Sequence, residues 1–193
     1  MAGQSALIFI SGGVRSGKSS FAEKLAIDIA ERCCVQLHYV ATGQSSDREM
    51  EERIIRHKQD RRDSGRNWTT WEQPRNLAEL SSSFSCGDVV LLDCLTTLLN
   101  NEFFHGGDRW RHEDFQLQVH NGIAGAIEGI AGRTHTLIVV SNEVLNGTVA
   151  DHEMVFTYMR LLGQIHQTIV RKSKFAYIVE SGIPILKKGR ETP

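Results

Sequence analysis

Eight consecutive residues, Gly12-Gly13-Val14-Arg15-Ser16-Gly17-Lys18-Ser19, constrain this chain more than any other feature. They spell G-x-x-x-x-G-K-S. The apolar run 6–10 lies directly upstream, and Phe21, Ala22, Leu25, Ala26 and Ile29 follow at helical spacing. A strand that turns through such a loop into a helix aims several backbone N–H groups, and the positive end of the helix, at one spot. That spot suits a phosphate. The glycines let the backbone curl around it, Lys18 is expected to reach the β- and γ-phosphates of a nucleotide, and the Ser19 hydroxyl a magnesium ion. The pattern predicts nucleotide binding; a merely Gly-rich turn is the bland alternative.

The rest of the sequence alternates strand-like and helix-like stretches, which implies parallel βαβ construction. Strands are expected at 6–10, 35–41, 89–92, 136–140, 175–179 and 183–186, the last at a sheet edge because it contains Pro184. Helices are expected at about 18–32, 46–61, 75–84 and 95–103. Two longer ones follow from Phe115, Val119, Ile123, Ile127 and Ile130, and from Val155, Met159, Leu162, Ile165 and Ile169. Ser46-Asp47-Arg48-Glu49 reads as a capping box. Residues 65–74 are expected to be a loop and 105–111, with Gly106-Gly107, a mobile connection. No linker interrupts the pattern. Residues 1–193 are therefore expected to form one doubly wound, mostly parallel α/β domain of the P-loop NTPase-like kind, with ligands beyond the carboxyl ends of the strands.

Composition narrows the partners. A formal net charge of −1 argues against nucleic-acid binding through bulk positive potential, and the basic stretch 53–66 reads first as a solvated face. Cys33, Cys34, Cys86 and Cys94 contain no C-x-x-C pair, so they are expected to be reduced structural residues of a cytoplasmic protein. No apolar run is long enough to span a membrane.

Three further positions carry chemistry. Asp93 ends the buried run 89–92, as an acid that helps hold magnesium does, although an acid there also caps a following helix. His57 shares a helix face with Met50 and Ile54, which makes a half-buried packing residue the simple reading. A neutral imidazole can also attack phosphorus and form a phosphoramidate, and Arg53, Arg56, Lys58, Arg61 and Arg62 would draw phosphates toward it. The residues alone leave both open. Asn142 and Glu143, after the run 136–140, either contact substrate or magnesium or begin a turn. Ala41-Thr42-Gly43 and Glu72 are further candidates. His38, His105, His112, His120, His135, His152 and His166 lack metal-ligand spacing, and surface or capping roles are their default.

Taken in order, these segments resemble the bifunctional adenosylcobinamide kinase/adenosylcobinamide-phosphate guanylyltransferase family of cobalamin assembly. The resemblance rests on Gly12 through Ser19, Tyr39-Val40-Ala41-Thr42, Glu49-Met50-x-x-Arg53-Ile54-x-x-His57-Lys58, Trp71-Glu72, Leu91-Leu92-Asp93-Cys94-Leu95-Thr96 and Ser141-Asn142-Glu143-Val144. The glycine loop is shared by many families, whereas R-I-x-x-H and S-N-E-V in this order are much more specific. The resemblance implies two reactions: phosphorylation of adenosylcobinamide by ATP or GTP, then transfer of GMP from GTP through a GMP–histidine to give adenosylcobinamide-GDP and pyrophosphate. It makes His57 the guanylylated residue, with Lys18 at the transferred phosphates. Nucleotide contacts fall on Gly12, Gly13, Val14, Arg15, Ser16, Gly17, Lys18, Ser19, Ala41, Thr42, Gly43, Lys58, Gln59, Asp60, Arg61, Glu72 and Asp93, and magnesium on Ser19 and Asp93. It also implies a homo-oligomer, a trimer in that family. The chain departs from the pattern at Leu145-Asn146-Gly147-Thr148-Val149-Ala150, at Arg56, at Arg61-Arg62, and at Leu161-Leu162-Gly163-Gln164-Ile165-His166-Gln167. Two rival readings are a small-molecule kinase transferring phosphate directly and a nucleotide-dependent regulatory ATPase.

Overall fold

Strand β1 (Ala6–Gly12) is buried along its whole length, and the rest of the sheet is arranged around it. The structure, a computed structural model, describes residues 5–43, 55, 59, 61–63, 65–143 and 153–190. The other strands are β2 (Gln36–Ala41), β3 (Trp68–Glu72), β4 (Asp88–Asp93), β5 (Thr136–Asn142), β6 (Phe175–Glu180) and β7 (Ile183–Lys188). They pair in the order β3-β2-β4-β5-β1-β6-β7, all parallel except β7. Strand β5 thus separates β1, which feeds the glycine loop, from β4, which ends in Asp93.

Alternate residues of the central strands build two cores. On one face Ile8, Ile10, Leu91, Ile138 and Val140 meet Ala22, Ala26 and Ala30 of helix α1 (Lys18–Cys33). Alanine at each contact lets that helix approach the sheet closely. On the other face Leu7, Phe9, Val90, Leu92, Leu137 and Val139 pack beneath α2 (Leu95–His105), α3 (Glu113–Ala131) and α4 (Glu153–Lys172). A strand covered on both faces needs an unbroken apolar run, which explains how the central strands read in sequence.

Several expectations change. Residues 65–74 are not simply a loop, because Trp68–Glu72 forms edge strand β3 on β2. Its two tryptophans and two threonines suit a pleated edge, while flanking Gly65 and Pro74 gave the loop signal. Within the stretch 75–84 a 3-10 helix, Leu77–Ser83, forms, where three-residue spacing brings Leu77 and Leu80 inward, and Phe84 after it is also buried. Within 105–111 the connection contains a 3-10 turn, Gly107–Arg111, that buries Trp110, with the guanidinium of Arg111 4.3 Å from its ring. The helix expected at 46–61 falls mostly outside the described residues, of which Ile55, Gln59 and 61–63 are helical. Strand β7 is at an edge, as Pro184 requires, and the Ser181-Gly182 turn before it has φ of 50° and 82°, the hairpin geometry that matches strand twist.

Of the cysteines only Cys94 is buried; the other three are exposed, so a structural role holds for Cys94 alone. His38 and His166 are buried rather than superficial, each with a hydrogen-bond partner. Among the described residues no helix is long and apolar enough to cross a membrane.

Candidate active site

The loop between β1 and α1 is shaped by what its glycines must avoid. A Cβ on Gly12 would lie 2.5 Å from the carbonyl oxygen of Val179 and 2.6 Å from Ser16 Oγ. Gly17 caps α1 with φ of 90°, and Arg15 also turns left-handed at 60°. The hairpin turn after β6 braces the loop from outside: Gly182 donates its N–H to Ser16 O at 2.8 Å. Lys18 is only 3% exposed, and its Nζ donates to Gly13 O at 3.0 Å, across the mouth of the loop. Ser19 is buried beside it.

The second wall is formed by the ends of β3, β2 and β4. Glu72, Ala41 and Asp93 are register partners across these three strands. Fully buried Thr42 fastens this edge: its hydroxyl accepts from Cys94 N–H at 2.9 Å and donates to Cys94 O at 2.8 Å. Asn101 holds Thr42 in turn, donating Nδ2 to Thr42 O at 2.9 Å. Thr42→Val would remove the partner of the Cys94 N–H, while Cys94 O keeps the bond it accepts from Leu98 N–H at 3.0 Å. At about 1–3 kcal/mol for a buried orphan we expect a loss of that order. Thermal denaturation should show it as a fall of roughly 2–12 °C for a chain of this size.

Asp93 does not cap the following helix. The cap position is Cys94, with no side-chain cap bond, and Asp93 Oδ2 instead accepts from Tyr39 OH at 3.0 Å. Burial first, and the nearby Asp93 carboxylate second, push the Tyr39 hydroxyl well above its ordinary pKa, so it stays a donor. Arg61 is buried with its guanidinium 3.6 Å above the Tyr39 ring and its Nη1 3.5 Å from Glu23 Oε1. Beyond it, Arg61, Arg62, Arg66, Trp68, Thr70 and Glu72 border an open cleft of about 470 Å³. Gln59 is exposed and donates to Asp63 Oδ1 at 2.8 Å. His57, Lys58 and Asp60 lie outside the described residues.

The tip of β5 closes the gap between the two walls. Asn142 is register partner to Gly12, and Glu143 donates its N–H to Gly12 O at 2.8 Å. Behind it, Ser141 Oγ lies 2.8 Å from His166 Nε2 and 2.9 Å from Thr96 Oγ1. Tyr39, Thr96 and Ser141 stood inside the family-like motifs without a role of their own. His166 stood in the segment 161–167 that departs from the family pattern, though its spacing of four from Leu162 and three from Ile169 signalled the buried face of α4.

Burial lowers the His166 pKa from the ordinary 6.5 to about 4, so the ring is neutral in the folded chain at neutral pH. A histidine depressed by folding stabilises fully above pH 6.5, and that contribution is lost as the pH falls toward 4. At about 1.4 kcal/mol per unit the loss approaches 3 kcal/mol. Denaturant unfolding at pH 7 and pH 4 should therefore show a steeper fall for the natural chain than for His166→Gln, by about that amount.

Ser16 Oγ and Asn142 Oδ1, both bordering the loop, are buried with no hydrogen-bond partner among the described residues. Such atoms are costly unless a ligand satisfies them. Among the described residues no cluster of three or more His, Cys, Asp or Glu could hold a metal by itself. A magnesium ion that arrives on phosphates takes only one or two protein oxygens, and the Ser19 hydroxyl and the Asp93 carboxylate could supply them.

A glycine loop with a buried lysine at the carboxyl edge of a parallel sheet, and an acid on the strand two places away, defines a P-loop nucleotide-binding protein. Solved structures share the fold at a sequence identity that shows nothing more. The flagellar accessory protein FlaH from Methanocaldococcus jannaschii aligns with a TM-score of 0.52 at 12% identity, over 97% of this chain and 80% of that one. A KaiC-like protein from Pyrococcus horikoshii gives 0.50 at 13%, over 98% and 81%. The chain belongs to the cobinamide kinase / cobinamide phosphate guanyltransferase family, CobU, whose family model matches residues 8–186. It is 31% identical over 185 residues to the bifunctional adenosylcobalamin biosynthesis protein CobU of Escherichia coli, covering 93% of this chain and 98% of that protein. Against CobP of Pseudomonas aeruginosa the identity is 33% over 181 residues, 93% and 96% of the two chains.

Proposed function

We propose that this chain carries out both reactions for which its family is described, phosphorylating adenosylcobinamide and then converting the phosphate to adenosylcobinamide-GDP. The observation that carries the reading is the family match over residues 8–186, together with a phosphate loop whose lysine is already buried across its mouth.

In the first reaction the triphosphate of ATP or GTP rests on the N–H groups of the loop. The corrinoid hydroxyl oxygen bonds to the γ-phosphorus as the bond to the β,γ-bridging oxygen breaks, and the hydroxyl proton leaves to solvent. Lys18 and the start of α1 take up charge on the transferring phosphate. Ser19 and Asp93 would hold a magnesium ion, which would supply positive charge to the phosphates.

In the second reaction an imidazole nitrogen of His57 bonds to the α-phosphorus of GTP and pyrophosphate departs. An oxygen of the corrinoid phosphate then displaces the imidazole, leaving the diphosphate linkage. Ala41, Gly43, Lys58, Gln59, Asp60, Arg61, Glu72 and Asp93 hold the guanine nucleotide, and Thr42, fully buried, fastens the strand end behind them. The arginine-lined cleft beside Glu72 supports this assignment, since two polyanions must pass there.

A staged assay tests the reading. With ATP and adenosylcobinamide the enzyme should yield the phosphate ester, and addition of GTP should then release one pyrophosphate per ester consumed. A chain that stops at the ester and never releases pyrophosphate is a simple phosphotransferase, and the proposal would be wrong.

A further inference from the structure

Asn142 ends the strand that lies between the loop strand and the acid strand, so it stands between the two halves of the nucleotide site. Its backbone is fastened with unusual completeness. The N–H of Asn142 donates to Thr96 Oγ1 at 2.8 Å, Thr96 Oγ1 lies 2.9 Å from Ser141 Oγ, and Ser141 Oγ lies 2.8 Å from His166 Nε2. Taken in that sense, each hydroxyl accepts one hydrogen and donates its own, and the chain ends on the lone pair of a neutral histidine. Ser141 has no exposed surface, and the His166 ring is held edge-on to Phe9 with centroids 5.0 Å apart. The side chain of Asn142 is the opposite case. Its carbonyl oxygen is buried and has no partner among the described residues, while its Nδ2 is 4.0 Å from Cys94 Sγ. A satisfied network behind an unsatisfied oxygen is the arrangement of a group held ready for a ligand, not of a packing residue.

We propose that His166, Ser141 and Thr96 are positioning residues that fix Asn142, and that its carboxamide oxygen accepts a hydrogen bond from an O–H brought by the substrates. The donor is either the hydroxyl to be phosphorylated or a water on the magnesium ion. The proposal rests on the functional reading above and assigns a task to the tip of β5. Removing the acceptor at His166 frees the Ser141 hydrogen to turn toward Thr96, where it competes with the Asn142 N–H. The strand tip then loses its hold, and a displacement of about an ångström costs up to roughly a hundredfold in rate.

Steady-state phosphorylation by the full-length natural chain and by His166→Phe, His166→Gln, Asn142→Ala and the Asn142→Ala/His166→Phe pair tests this. Phenylalanine keeps the contact with Phe9, and glutamine restores an acceptor. His166→Phe should lower kcat about tenfold with the nucleotide KM unchanged, and His166→Gln should recover to within about threefold. The double variant should be no slower than Asn142→Ala alone, because both act on one group. In Asn142→Ala a higher magnesium requirement marks the metal-bound water as donor, and a lower kcat at unchanged magnesium dependence marks the hydroxyl. Effects that multiply in the double variant, or an unimpaired His166→Phe, overturn the relay. A second readout needs no turnover: the His166 Nε2 resonance in nitrogen-labelled protein should move when magnesium, a non-hydrolysable GTP analogue and adenosylcobinamide bind together, but not in Thr96→Val. No movement in the natural chain overturns the relay even where a variant fails to fold. A normal shift in a chain that does not phosphorylate adenosylcobinamide would instead sink the functional reading and leave the relay standing.

Discussion

Lys18→Ala is expected to slow phosphorylation of adenosylcobinamide by about a thousandfold or more while leaving the chain folded. Lys18 is 3% exposed and its ammonium group rests on Gly13 O at 3.0 Å, so it is aimed before any nucleotide arrives. A donor fixed in this way avoids reorganisation as charge shifts during transfer, and losing one such donor costs about 10²–10³ in rate. A full cation facing a polyphosphate belongs at or beyond the top of that range. The stability cost is small by comparison, because Gly13 is exposed and water can replace the lost donor to its carbonyl. Steady-state kinetics beside a thermal melt checks both halves of the prediction. Lys18→Arg should fail nearly as badly, since a planar fork does not substitute for a compact charge at the loop mouth. Formation of the GMP adduct should fall with phosphorylation if one loop seats both triphosphates. Phosphorylation within tenfold of the natural chain would remove Lys18 from the reacting phosphate.

His57→Ala should have the sharpest effect on the second reaction and little on the first. Intact-protein mass measurement after addition of GTP should show one GMP added to the natural chain and none to the variant. Pyrophosphate release should drop to background, because the step that forms the GMP–histidine bond is lost. Phosphorylation by ATP should persist within about threefold, since direct in-line transfer needs no covalent step on the protein. The adduct should be labile in acid and stable in base, as a phosphorus–nitrogen bond is. Label retained in His57→Ala would mean that another residue carries the nucleotide.

How far the sequence led depended on the range of each signal. The glycine loop was legible because its requirements are local: Gly12 has no room for a Cβ, and Gly17 must turn left-handed into α1. The buried strands were legible because both their faces are covered, leaving apolar runs such as Val89-Val90-Leu91-Leu92. Strand β3 was obscured by Gly65 and Pro74, since an exposed edge strand needs no apolar alternation. Trp110 was hidden by the neighbouring glycine pair, although its burial is what orders that turn. In the site, Asp93 was legible as an acid at a strand end. That Tyr39 would hold it, with Arg61 stacked on the same ring, depends on atoms far apart in the chain. His166 was the largest omission, because its partner Ser141 is 25 residues away on another element.

The order of residues by itself determined the loop, the alternation of strand and helix, and the set of segments by which the family is recognised. Each follows from spacing within a few residues or from motifs read in sequence. The tertiary structure alone decided that β5 would separate the loop strand from the acid strand. It also decided that Thr42 would fasten Cys94, and that a neutral histidine on the last helix would stand behind Asn142. Those outcomes turn on hydrogen bonds between groups that only packing brings within reach, where burial makes each unpaired donor or acceptor too costly to leave.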